Sequence, residues 1–127
     1  MKIEICSNSF ASALAAQNAG ADRIELCTQL SVGGLTPSYG LIAKIKEELT
    51  IPIHVLIRPR AGDFNYTKSE LDIMIRDTEF CKDLGCAGVV SGVLQEDMSL
   101  DVSPTKQLMQ AAGSLEFTFH RAFDLVP

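Results

Sequence analysis

Arg23-Ile-Glu-Leu-Cys-Thr28 decides the fold, because the chain has already written it once. Residues 3–6 read Ile-Glu-Ile-Cys and residues 24–27 read Ile-Glu-Leu-Cys. In an extended chain, successive side chains point to opposite faces. Ile3 and Ile5 therefore share one face of a strand, and Glu4 and Cys6 the other. In the second copy Ile24 and Leu26 face one way, with Arg23, Glu25 and Cys27 facing the other. The copies start 21 residues apart, and the segment between them reads as helix. Two strands joined by a helix run parallel, with a right-handed crossover. Neighbouring strands then carry a carboxylate and a thiol on the same face, an unusual pair of groups to bury twice.

Outward from that repeat, the same unit recurs. Asn8 or Ser9 caps the first helix, which runs to about Ala19 and stops at Gly20. The glycines of Val32-Gly-Gly-Leu-Thr-Pro-Ser38 mark a loop, with Thr36 as N-cap and Pro37 in the first helical position. Leu41, Ile42, Ile45 and Leu49 make one apolar stripe. Pro52 then opens a third strand over residues 53–58. Residues 58–66 form a loop by their Pro, Gly, Asp and Asn content. Thr67 and Glu70 make a capping box for a helix with Leu71, Met74, Ile75, Thr78, Cys81 and Leu84 on one face. A fourth strand spans 87–94, and an acidic loop spans 95–101. Ser103-Pro104 caps a short helix, and a fifth strand covers 115–120. Gly20, Gly85 and Gly113 each stand four residues before a core-type strand position, at Ile24, Val89 and Phe117.

Four βα units and a fifth strand predict an α/β fold with a parallel sheet, either doubly wound or a closed barrel. No strand-to-helix turn carries GxGxxG or a P-loop, so the nucleotide-binding version lacks support. Glu4, Glu25, His54, Arg58 and His120 alternate with aliphatics, which suits a barrel lumen better than a strand covered on both faces. The expected fold is a (β/α) TIM barrel, of which residues 1–127 supply five strands and four helices as one partial domain. Five parallel strands cannot close an eight-stranded barrel. Self-association, or association with a missing barrel half, is the expected consequence.

Composition narrows the function. The chain is 46% hydrophobic and 21% charged, the profile of an ordinary globular protein. A net charge of −5 without a basic run argues against nucleic acid as partner. No apolar run approaches the ~18–20 residues that span a bilayer, and the start reads as strand rather than leader. The four cysteines lie in strand and helix patterns, which suits free thiols in a reducing cytoplasm.

Several motifs at matching spacing resemble the CutC copper homeostasis family. They are Ile3-Glu-Ile-Cys6, Gly20-Ala-Asp-Arg-Ile-Glu-Leu-Cys27, Gly33-Gly-Leu-Thr-Pro-Ser38, Ile57-Arg-Pro-Arg60 with Gly62-Asp-Phe64, and Thr118-Phe-His-Arg-Ala-Phe-Asp124. The resemblance runs from end to end. It implies a TIM barrel, a cytoplasmic location and a role in copper handling. One stretch departs from the pattern, because an Asp-Gly is expected where Asp97-Met98 stands. That weakens any role for the loop after the fourth strand.

Two candidate chemistries follow. Cys6 and Cys27, ~4.8 Å apart if the strands align in register, would offer Cu(I) the soft sulfur ligands it accepts at low coordination number. A buried cysteine is also an ordinary core residue, the reading preferred for Cys81 and Cys86. The alternative is an enzyme acting on a small anion. There Glu25 would be the general base and His120 its acid partner, with Arg58, Arg60 or Arg121 holding the anion. Arg58, His120 and Arg121 fall where strands finish, the productive end of a barrel. His54 stands at the opposite end and reads as structural, as does a lumen network among the carboxylates and arginines. Thr36-Pro-Ser38 at a helix start, and Asp63 and Asp124 in loops, complete the candidates; capping and turn formation explain them equally well.

Overall fold

The computed structural model describes residues Met1–Pro127. Strands and helices alternate as the repeat predicts: β1 (Glu4–Ser7), α1 (Phe10–Asn18), β2 (Arg23–Leu26), α2 (Tyr39–Glu48), β3 (Ile53–Leu56), α3 (Lys68–Leu84), β4 (Gly88–Ser91), α4 (Val102–Ala112) and β5 (Glu116–Phe119). Short 3-10 turns at Leu30–Val32 and Arg121–Leu125 follow β2 and β5. All five strands lie in one sheet in the order β1-β2-β3-β4-β5, and every neighbouring pair is parallel. Strictly sequential order is barrel winding, whereas a doubly wound sheet reverses direction at a switch point. The partial (β/α) barrel is therefore what the chain forms. None of its helices is long and apolar enough to cross a membrane.

Local chemistry sets the boundaries. Ser9 caps α1 by accepting the Ser12 N–H, and Thr67 with Glu70 forms the expected capping box on α3. Gly85 ends α3 at φ +86°, a conformation that a side chain would oppose. Two helix starts differ from expectation. Ser38, not Thr36, caps α2 by accepting the Leu41 N–H at 3.1 Å. Thr36 is held in the loop because its hydroxyl accepts the Arg58 backbone N–H at 2.8 Å. Helix α4 begins at Val102 rather than after Ser103-Pro104. Pro104 fits inside the first turn, where backbone N–H groups have no intrahelical partner to lose.

One face of the sheet packs on the helices. Ile24, Leu26, Ile53, Val55 and Val89 are fully or almost fully buried there, against Ala13, Ile42, Ile45, Met74 and Leu108. Burying such a side chain contributes roughly 1.5–3 kcal/mol. The opposite face carries Glu4, Cys6, Arg23, Glu25, His54 and Glu116, with a small apolar cluster of Cys27, Leu56 and Val90. Cys81 and Cys86 lie in the helix-side core.

Candidate functional site

Cys6 and Cys27 share a face, but the ladder does not set them opposite one another. Cys6 pairs with Glu25, and Cys27 lies two residues farther on. Strands in a barrel are staggered by its shear, so the two copies of the repeat are offset rather than aligned. The expected spacing across the ladder gives way to a diagonal contact with the sulfurs 3.5 Å apart. Cys6 is exposed and Cys27 is buried. Burial pushes the Cys27 thiol up to about 12, helped by the hydrogen bond to Cys6 and by Glu25. No cluster of three or more His, Cys, Asp or Glu residues is arranged to hold a metal ion. The corner thus offers two soft donors, one at the surface, and a proton must leave before sulfur can ligate.

Arg58 ties two loops together beside that corner. It is 7% exposed. Its Nη1 donates to the carbonyls of Val32 at 2.7 Å and Gly34 at 3.0 Å, and Nη2 donates to the Gly62 carbonyl at 2.9 Å. These carbonyls belong to the connections after β2 and β3. The glycine pair makes the approach possible. A Cβ on Gly34 would lie 2.8 Å from Leu56 Cδ2, and one on Gly33 would lie 3.2 Å from Arg58 Nη1. The Phe64 ring covers the guanidinium at 5.0 Å from Cζ, a cation–π distance. Arg58 Nε is buried without a partner.

His120 stands at the end of β5. Its Nδ1 accepts the Ala122 N–H at 3.1 Å, so the proton of the neutral ring is assigned to Nε2. That Nε2 is also buried without a partner. Burial lowers the His120 pKa to about 4, with the Arg58 and Arg121 charges acting in the same direction. At neutral pH the ring is therefore an uncharged N–H donor. Gly92 leaves the space it occupies, since a Cβ there would sit 2.8 Å from His120 Cε1.

Glu25, Arg58, His120 and Arg121 line one pocket of about 290 Å³, joined by Asp124 and Phe64. The pocket opens where the strands end. Burial, reinforced by Glu4, raises the Glu25 pKa, against a lowering by Arg23. Arg121 has no carboxylate within ion-pair distance, whereas Arg60 is fully engaged elsewhere. Arg60 pairs with Glu70 and with Asp63 at 3.1 Å, and it stacks over Tyr66. It does not line the pocket, and its contacts brace its own loop. Asp63 is held in the same brace. Glu4 pairs with Arg23, and His54 Nε2 lies 3.5 Å from Glu116, all at the other end of the sheet.

Phe64 and the glycines at 33, 34 and 92 were missed as site residues. The parity of the alternation contained one signal. Gly88 is the ladder partner of His54, and Gly92 follows it on the same face, facing His120. Each histidine is opposed by a residue without a side chain.

Residues 1–127 match the CutC family. The chain belongs to the CutC family. It is similar to a CutC family protein of Xanthomonas axonopodis pv. citri (strain 306), at 54% identity over 98% of this chain and 52% of that protein. A second, from Chromobacterium violaceum, is 52% identical over 97% of this chain and 50% of its own length. A crystal structure from Streptococcus agalactiae, provisionally named as the copper homeostasis protein CutC, matches with a TM-score of 0.93 at 37% identity. That match covers 100% of this chain and 62% of the other. The chain thus spans about half the length of the curated relatives it matches. An archaeal fructose 1,6-bisphosphate aldolase matches with a TM-score of 0.55 at 16% identity, covering 84% of this chain and 41% of that one. That likeness is one of fold alone.

Proposed function

We propose that this chain belongs to a cytoplasmic copper homeostasis protein and holds Cu(I) between Cys6 and Cys27. The observation that carries the reading is the pair of sulfurs 3.5 Å apart with one of them at the surface. Thiolates suit a soft monovalent ion, and Cu(I) accepts few ligands. Family membership supports the wider role, as does the name given to the Streptococcus agalactiae protein. Four free cysteines fit a reducing compartment. Titration of Cu(I) against a competing chelator tests the site, comparing wild type with Cys6→Ser/Cys27→Ser. Serine keeps the volume and lacks the soft donor. Affinity should fall on the order of 100-fold or more, and equal affinities would return both thiols to the core.

One observation favours a second reading, an enzyme acting on a small anion. Glu25, Arg58 and His120 line the same pocket at the productive end of the strands. In that reading Glu25 acts as general base and Arg58 supports the anion. His120 acts through a neutral N–H rather than as an imidazolium acid, because its ring stays uncharged at neutral pH.

A further inference from the structure

The sheet is open at both edges, and the side chains around it show what would close it. Strand β1 pairs only with β2, and β5 only with β4. Each outer strand therefore presents an unpaired row of N–H and C=O groups. Every residue of β3 and β4 is buried, whereas Glu4, Ile5 and Cys6 of β1 and Glu116 and Thr118 of β5 are exposed. Apolar exposure collects at the same places. Ile3 and Ile5 are exposed along β1, and Phe123 and Leu125 just beyond β5. Val102 and Met109 are exposed on one stripe of α4, the last helix before β5.

The curl of the sheet sets the size of what would fill the gap. Two strands separate β2 from β5, a distance of roughly 14 Å in a flat sheet. Yet Arg23 Nη1 of β2 lies 3.7 Å from Glu116 Oε2 of β5, and His54 Nε2 of β3 lies 3.5 Å from the same oxygen. The polar face is rolled tightly enough for side chains to meet across it, as in an eight-stranded lumen. Five strands are present, so three complete the circle. A second copy of this chain would bring the count to ten, with a lumen wider than these contacts span. It would also bring like charge. Glu4, Glu25 and Glu116 stand on the lumen face of the strands, where Arg23 is the one permanent cation. Arg23 pairs with Glu4, and Glu25 has no ion-pair partner. Closing a barrel over unmatched carboxylates is costly unless the closing segment supplies the cation.

We propose that β1 and β5 together dock a polypeptide of three further βα units whose lumen-facing side chains include a Lys or Arg to match those carboxylates. Its first strand pairs in parallel with β5 and its last with β1. Its helices cover Val102 and Met109 at one edge and Ile3 and Ile5 at the other. The curated relatives carry about as much chain again outside their match, enough for such a segment. The proposal is independent of the copper and anion readings.

Co-expression of the tagged chain with the part of the Xanthomonas axonopodis protein outside its match tests the docking. The two should co-purify in equal amounts, and hydrogen exchange should slow at β1 and β5 amides while β3 is unchanged. Affinity follows from dilution of the purified complex. Ile3→Lys and Met109→Lys change exposed side chains, so the chain's own thermal midpoint should hold while affinity falls on the order of tenfold. Ile73→Lys, at an exposed position of α3 away from both edges, should leave affinity unchanged. Glu116→Gln should weaken binding about tenfold and flatten its salt dependence. Failure to co-purify would overturn the proposal, and a stable dimer of the chain alone by light scattering would replace the segment with a second copy. Affinity unmoved by both edge substitutions would overturn the assigned edges. Affinity unmoved by Glu116→Gln would overturn the cationic match.

Discussion

The two ends of the sheet's polar face are built from the same kinds of residue and behave differently. At the end where strands begin, charges answer one another. Arg23 pairs with Glu4, Glu116 lies 3.7 Å from Arg23, and His54 Nε2 lies 3.5 Å from that same Glu116. At the end where strands finish, the groups are left in surplus. Arg58 is committed to carbonyls, Arg121 is unpaired, and both Arg58 Nε and His120 Nε2 lack partners. Both non-glycine residues with left-handed backbone, Gln29 and Met98, also sit in loops at that second end. Buried polar atoms without partners occur at both ends, His54 Nδ1 at the first and Arg58 Nε and His120 Nε2 at the second, so it is the unpaired Arg121 and the left-handed loop residues that set the second end apart as the candidate functional one.

The contrast is sharpest in its pH dependence. Burial lowers the pKa of both histidines, His120 to about 4, while the nearby Glu116 and Glu4 act to restore that of His54. A histidine whose folded pKa lies below its unfolded value takes up its proton first in the unfolded chain. Stability is then lost as pH falls from about 6.5 toward 4, and no more is lost below that. For His120 the loss should approach about 3 kcal/mol. Denaturant unfolding across that window should show it. His120→Asn should flatten the curve more than His54→Asn, and the opposite ranking would break the contrast.

A smaller effect tests the strain. Met98 adopts φ +71° in the turn where Leu94 and Leu100 are bridged and Asp97 accepts the Ser99 N–H. This is the position at which the resemblance noted in the sequence leads us to expect glycine. A side chain in that conformation costs about 1–2 kcal/mol, partly offset by the greater freedom of an unfolded glycine. Met98→Gly should therefore raise stability by roughly 0.5–1 kcal/mol, a few degrees in thermal midpoint. An unchanged or lowered midpoint would mean that the turn stores no strain.

Much of this was legible before any coordinates. Alternation alone assigns Glu25, His54 and Arg58 to one face and Ile24, Leu26 and Val55 to the other, because the period of an extended chain is fixed by its backbone. The capping box at Thr67 and Glu70 is equally local. What stayed hidden depends on distant parts of the chain. The repeat suggests that Cys6 should lie opposite Cys27, and only the stagger of the assembled sheet offsets them. Thr36 reads as a helix cap until the end of β3 arrives to take its hydroxyl. Arg58 and Arg60 read alike as anion holders. Their fates diverge because one meets the carbonyls of Val32, Gly34 and Gly62, and the other meets Glu70. Long side chains choose among partners that only the folded chain brings within reach.

The copper assignment depends on soft donors at the Cys6–Cys27 corner being preferred over the nitrogen and oxygen donors of the neighbouring pocket. X-ray absorption at the copper edge of the Cu(I)-loaded protein reads that choice directly. The account predicts a first shell of sulfur alone, which disappears in Cys6→Ser/Cys27→Ser. Nitrogen or oxygen scatterers in the first shell, from His120 or Glu25, or a spectrum unchanged by the double substitution, would contradict it.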